Sequence, residues 1–266
     1  MRMVFLFSII SLLLSCGGPK TEEGEKQTTN KAATRISKDS LRQLYTEYYS
    51  KLSKPMPAQK QLEKGKLYPV DEALKDTAFF VFREQLREVI KNQDVFGLLD
   101  AIDKDIKCSL DGNNGLSGFV GMWHLDTKQV DTLQIWNVLA SVLSKGGAFS
   151  QGGKYFSAPY VNALWPDDYD AIDYGVVTGS GVRMRSEPST NSSIVKTVSY
   201  NIVMILNVEG EEEINGERHP WVQAELLDGR QGYIYGKFVG SPTDYRAGFT
   251  YDQYEGWNMD VFLAGE

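Results

Sequence analysis

The chain has 266 residues, 42% of them hydrophobic, and 35 acidic side chains against 28 basic ones give a formal charge of −7. That length suits two modest domains and a tail, and the composition can furnish a core. An acidic balance without a concentrated basic face excludes a phosphate-backbone partner, so nucleic acid is not expected to bind. Cys16 and Cys108 are the only cysteines, and His124 and His219 the only histidines. They supply neither a disulfide framework nor an ordinary zinc ligand set, and no metal or cofactor is expected.

Residues 1–15 carry Arg2 and then an apolar run too short to cross a bilayer as a helix, the shape of a secretory signal. The run ends in Leu13-Leu14-Ser15-Cys16-Gly17, which resembles the lipobox of bacterial lipoproteins. That resemblance implies cleavage before Cys16 and diacylation of its thiol. Several acyl chains on one residue anchor stably where a single chain is marginal. The expected location is therefore the bacterial cell envelope, lipid-anchored and facing the periplasm or the cell surface, with the membrane as one partner. Residues 16–39 are nearly devoid of apolar side chains and read as a disordered tether that provides reach.

Folded structure is expected from residue 40. Leu41, Leu44, Tyr45, Tyr48, Tyr49 and Leu52 form a helical stripe that Pro55 and Pro57 stop. A second helix carries Leu74, Ala78, Phe79, Phe82, Leu86, Val89 and Ile90, with Asp71 as its N-cap. Asp94 caps a short third helix with Val95, Leu98, Leu99 and Ile102. Ile106, Cys108 and Leu110 alternate with polar residues and predict a strand with Cys108 facing inward. Two further helices are marked by Leu116, Phe119, Val120 and Trp123, and by Leu133, Trp136, Leu139 and Leu143 before Gly146-Gly147. Residues 148–173 are aromatic and irregular, and read as a wall that separates this mainly helical α+β domain (40–173) from a β-rich segment.

Residues 174–242 alternate short β-branched and aromatic runs with Gly, Asn, Pro and Asp clusters, the pattern of a small barrel. Three landmarks fall in order. They are Val182-Arg183-Met184-Arg185-Ser186-Glu187-Pro188, a Trp-led strand from Trp221, and Asp228-Gly229-Arg230-Gln231-Gly232-Tyr233-Ile234. In that order they resemble the bacterial SH3-like (SH3b) domain, with Arg183 where the family usually has Asn and Glu187 where it has Gly. The resemblance implies a recognition module for cell-wall peptide or glycan. Residues 243–266 then predict two strands joined by a turn. A lone hairpin is marginal in water, so it is expected to pack on the barrel. The closing Glu255-Gly256-Trp257 and Phe262-Leu263-Ala264-Gly265-Glu266 also resemble the last strands of nuclear transport factor 2-like domains, which would place the barrel inside one α+β domain. The fold class expected is thus α+β, with a mainly helical N-terminal domain, a small SH3-like β-barrel and a C-terminal β-hairpin.

Catalytic constellations are scarce. Cys108 and His124 are the available nucleophile and base, but an inward-facing cysteine behaves as a small hydrophobe. Asp167 with Asp168, and Glu211 to Glu213, are the acidic clusters a glycosidase would need, yet each falls in an expected solvated loop. By its likeness to SH3b domains, which often accompany cell-wall hydrolases, the chain resembles the targeting half of such an enzyme without the catalytic half, and no catalytic residue is assigned. Candidate ligand contacts are Tyr200, Trp221, Tyr233 and Tyr235. Arg185, the motif arginine, is expected to tie its loop to a carbonyl or carboxylate. Trp221 and Tyr233 double as core residues by the resemblance; Tyr200 and Tyr235 are expected to be more exposed. Residues 209–218 are strongly acidic and would favour ligands with free amines. The alternative to a wall-binding module is an envelope assembly factor whose helical domain holds a protein partner.

Overall fold

A computed structural model describes residues 37–52 and 63–264, the side chains of residues 48–52 excepted. Cys16, the signal segment and nearly all of the tether lie outside the described residues.

Helix α1 (Lys38–Leu52) opens the fold, and its Tyr45 meets Phe80 edge to face at 5.3 Å. Helix α2 (Thr77–Lys91) starts five residues later than Asp71 as N-cap would place it. Its cap is Asp76, whose carboxylate accepts the Phe79 N–H at 2.8 Å. Asp71 instead accepts from Ala73 N–H and from the buried Arg83 guanidinium, at 3.2 and 2.6 Å. Asp94 does cap α3 (Val95–Asp100), accepting the Gly97 N–H at 3.1 Å. Two helices follow the expected apolar spacing, α4 (Gly115–Trp123) and α5 (Gln134–Ser144). A short α6 (Tyr160–Ala163) leads toward the barrel.

Three strands of this N-terminal part depart from expectation. β1 spans Ile102–Lys107, so Ile102 belongs to a strand and not to α3. Cys108 lies just beyond the strand's end, and Leu110 is 60% exposed, which ends the inferred alternation. Cys108 is nonetheless buried, at 3% exposure, and burial pushes its thiol pKa up. The expected irregular wall contains β2 (Ala148–Ser150) and β3 (Tyr155–Ala158), which pair antiparallel through Phe149 and Phe156.

The C-terminal hairpin, β11 (Arg246–Asp252) and β12 (Gly256–Leu263), does not pack on the barrel. β12 lies parallel to β1, with Ile102 beside Met259, and β11 lies antiparallel to β3, with Phe249 beside Phe156. The resulting five-stranded sheet has the order β1-β12-β11-β3-β2, with the last two strands of the chain in its interior. Phe79 sits over this sheet at ring distances of 4.2 Å from Phe156, 4.9 Å from Trp257 and 5.5 Å from Phe249. One core therefore joins α2, α4 and α5 to strands that precede and strands that follow the 174–240 segment in the sequence.

Between them runs a seven-stranded sheet curled into a half-barrel, in the order β10-β4-β7-β8-β9-β5-β6. Its strands are β4 (Tyr174–Val177), β5 (Val182–Arg185), β6 (Ile194–Val198), β7 (Ile202–Ile214), β8 (Glu217–Leu226), β9 (Gln231–Tyr235) and β10 (Val239–Gly240). Entry and exit are neighbours, because β4 and β10 pair antiparallel with Val177 beside Val239. Adjacent ends let a domain be inserted without stretching its host. The interior is filled by Val177, Met184, Val203, Ala224, Leu226 and Ile234. A separate cluster of Leu67, Tyr160, Val161, Val176 and Ile202 seals the joint with the α+β lobe. The molecule is thus mixed α/β with six helices and two sheets among the described residues. The N-terminal part is less purely helical than its periodicities suggest.

Candidate functional site

β8 and β9 set two aromatic residues side by side. Trp221 and Tyr235 are direct cross-strand partners, with ring centroids 5.6 Å apart in an edge arrangement. In a strand, side chains alternate between faces. Trp221 therefore lies on the face of β8 opposite the core residues Ala224 and Leu226. The same alternation on β5 sends Met184 into the core and turns Arg183 and Arg185 outward together. Outward-facing Trp221, Tyr235, Arg183 and Arg185 line one cleft of about 310 Å³. Phe238 and Lys237, in the turn after β9, complete its side wall.

The opposite wall comes from the acidic run. Residues 209–218 are not a loop: β7 and β8 continue as a two-stranded ribbon that turns at Asn215-Gly216. Both turn residues have positive φ, 54° and 81°. That geometry is the two-residue hairpin turn Asn-Gly favours. Ile214 and Asn215 at its tip face the cleft. Tyr235 pins the ribbon, its hydroxyl lying 2.9 Å from the Glu212 carbonyl and 2.6 Å from that of Glu217. Trp221 pins it again through Nε1–H donated to the Glu212 carboxylate at 3.1 Å, and Thr190 donates to that carboxylate from both hydroxyl and backbone N–H.

These contacts hold Glu212 ionised. The Thr190 hydroxyl is the main cause of its lowered pKa, helped by the Thr190 N–H, the Trp221 N–H and the charge of Arg185. A carboxylate whose folded pKa is depressed stabilises the fold above its ordinary value of 4.5, and that stabilisation is lost as pH falls through the folded value. Glu212→Gln should therefore lower the melting temperature at neutral pH, and the gap from the native chain should close on acidification. Parallel thermal melts across that pH range are the check. A gap independent of pH would remove Glu212 from the clamp.

The anticipated contacts separate into two groups. Arg185 donates Nη1–H to the Ser192 carbonyl at 2.6 Å, tying its loop as its motif position implies, and reaches the cleft from below. Trp221 and Tyr235 form the floor but are only 2% and 5% exposed, so Tyr235 is less open than expected. Tyr200 and Tyr233 do not join them among the residues that line the cleft. Tyr200 packs against Tyr68 with the rings tilted and their centroids 5.2 Å apart, and it accepts the Leu67 N–H at its carbonyl, which makes it part of the joint between lobes. Tyr233 is half-buried, and its hydroxyl bonds the Glu209 side chain, which raises its pKa. Gly232 beside it is packed so closely that a Cβ would stand 2.6 Å from the Arg185 carbonyl.

The three landmarks belong to one curled sheet, and the first two supply lining residues of the cleft. Residues 180–240 match the family model of the bacterial SH3 domain. Comparison with curated proteins and with solved structures gives no match. The matched segment of the bacterial SH3 domain runs from the loop before β5 through β10 and contains the cleft's whole lining. The motif positions and the barrel's own aromatic strand residues do not mark Arg183, Lys237 or Phe238 as lining residues. Arg183 stands out in the sequence only as a departure from the motif, and Phe238 lies beyond the closing hairpin.

Cys108 and His124 belong to the other lobe. His124 closes α4 in the left-handed conformation, φ 54°, where its N–H reaches back to the helix carbonyls. The Cys108 thiol lies 3.5 Å from the Asn113 carbonyl. Among the described residues no three His, Cys, Asp or Glu side chains gather as a metal site.

Proposed function

We propose that the chain is a lipid-anchored envelope protein whose bacterial SH3 domain binds cell-wall peptide without catalysing a reaction on it. The observation that carries this reading is the outward cleft over Trp221 and Tyr235, walled by the clamped ribbon on one side and Phe238 on the other. A half-barrel filled by its own side chains holds its ligand outside. A concave surface with an apolar floor and a few fixed polar groups is the usual form of a binding site. The lipobox at Cys16 and the polar tether supply the place and the reach. Pull-down of the full chain by purified sacculi tests the binding, and membrane fractionation of Cys16→Ala tests the anchor. No retention on sacculi under conditions where the barrel is folded would end the wall-binding reading.

A second reading, an envelope assembly factor, draws on the other lobe. There a cleft of about 450 Å³ lies between α2, α3 and the β11–β12 turn, and Phe96 and Tyr254 are strongly exposed. It is favoured if sacculi fail to retain the folded chain.

A further inference from the structure

The charge of the cleft runs against that of the chain. Its lining holds Arg183, Arg185 and Lys237 and not one carboxylate, although the chain as a whole carries −7. The neighbouring acids are already engaged. Glu212 accepts from Thr190 and Trp221 and lies in the field of Arg185, while Glu217 is paired with Lys237. Arg183 is what remains. It is exposed, it shares a face of β5 with Arg185, and it has no ion-pair or hydrogen-bond partner for its guanidinium among the described residues.

Resting on the wall-peptide reading, we infer that this cleft selects peptide ends bearing a free carboxylate, with Arg183 as the carboxylate receptor. A guanidinium offers two parallel N–H donors matched to the two oxygens of a carboxylate, which gives direction as well as charge. The volume, about 310 Å³, is at the small end for ligand sites and fits a residue or two rather than a long segment. Sugar rings are the poorer fit. They need an open aromatic face to stack on, and of the three rings here only Phe238, 37% exposed, presents one. A small apolar side chain next to the terminal carboxylate would rest on Phe238 and the edge of Tyr235 while the carboxylate meets Arg183. The acidic ribbon then has a second effect. Its outer carboxylates repel polyanions, so that a single carboxylate is admitted where a phosphate polymer is not.

The probes are N-acetyl-D-alanyl-D-alanine and its C-terminal amide, titrated into the full chain and followed by NMR shift changes or calorimetry. The acid should bind at least tenfold more tightly than the amide. Arg183→Gln should bring the two together, and Arg183→Lys should restore part of the preference, since it returns the charge without the fork. Equal binding of acid and amide to the native chain, or an unchanged preference in Arg183→Gln, overturns the assignment. So does competition by inorganic phosphate as effective as that of the acid peptide, which would make this a general anion site. Retention of the chain on sacculi with neither peptide bound leaves the wall-binding reading standing and removes this one. Loss of both removes the two together.

Discussion

Truncation after Pro242 should unfold the α+β lobe. The segment removed contains β11 and β12, which occupy interior positions of the five-stranded sheet, β12 bridging to β1 and β11 to β3. Without them β1 has no partner, and the β2–β3 hairpin stands alone, a form that is marginal in water. The same cut deletes Phe249, Trp257, Met259 and Phe262, all buried against α2, α4 and α5. At about 1.5–3 kcal/mol for each fully buried large side chain, the four contribute about 6–12 kcal/mol. That is comparable to the whole stability of a domain, about 5–15 kcal/mol. Far-UV circular dichroism of the truncated chain should lose most of its helical signal, and amides of α2 and α5 should lose hydrogen-exchange protection. Retention of both would mean that the N-terminal part folds without the hairpin and that the lobe is not discontinuous.

The reason this architecture is only partly legible in the sequence lies in where the pairing information resides. Helices α4 and α5 declare themselves through apolar residues at 3.6 spacing, because each helix bonds within itself. β1 has no such local signature: Asp103, Lys104 and Asp105 separate Ile102 from Ile106, and its partner β12 is at the far end of the chain. The hairpin is recognisable as a hairpin, but nothing in its own residues says which sheet edge it completes. Its closing residues hint at an inserted barrel, and the pairing of β12 with β1 decides for insertion. Phe149 and Phe156 read as an irregular wall because β2 and β3 are only 3 and 4 residues long, too short for alternation to show. Asp71 and Asp76 are both good caps by type, and the choice falls to Asp76 because Asp71 is drawn to the buried Arg83.

The cleft shows the same division. Trp221 and Arg185 are legible because motif positions carry them, and Tyr235 because it closes the last hairpin strand. The acidic run suggests a negative site, yet its Asn215-Gly216 turn is the more informative signal. It makes the run a ribbon, and a ribbon's side chains alternate between faces, so Glu212 turns in toward Thr190 and Trp221 while Glu211 and Glu213 stay exposed. Counting charge along the sequence cannot separate the two faces. Arg183 escapes a sequence reading for the complementary reason: its value lies in lacking a partner, which only the folded arrangement reveals.

Trp221→Ala should be the most damaging single change in the barrel. The indole is 2% exposed, contacts the Tyr235 ring at 5.6 Å, and donates its N–H to Glu212 at 3.1 Å. Removing a buried Trp leaves a cavity as well as lost contacts and costs about 3–5 kcal/mol. It also leaves Tyr235 without its cross-strand neighbour and takes one of the donors from a clamped carboxylate. Because Trp221 faces away from the barrel interior, its loss acts first on the ribbon and the cleft floor. Trp221→Phe is the instructive contrast. It keeps an aromatic ring beside Tyr235 and forfeits the N–H donated to the Glu212 carboxylate, a bond to a charged group worth about 1.5–3 kcal/mol, together with part of the indole's volume. Urea titration should show the alanine variant clearly less stable than the phenylalanine variant, and both less stable than the native chain. Hydrogen exchange should place the lost protection at residues 207–218 before the strands around Ala224 and Ile234. Equal loss across the whole half-barrel would put Trp221 in its core rather than under the ribbon. An alanine variant as stable as the native chain would mean that the indole does not hold the cleft together at all.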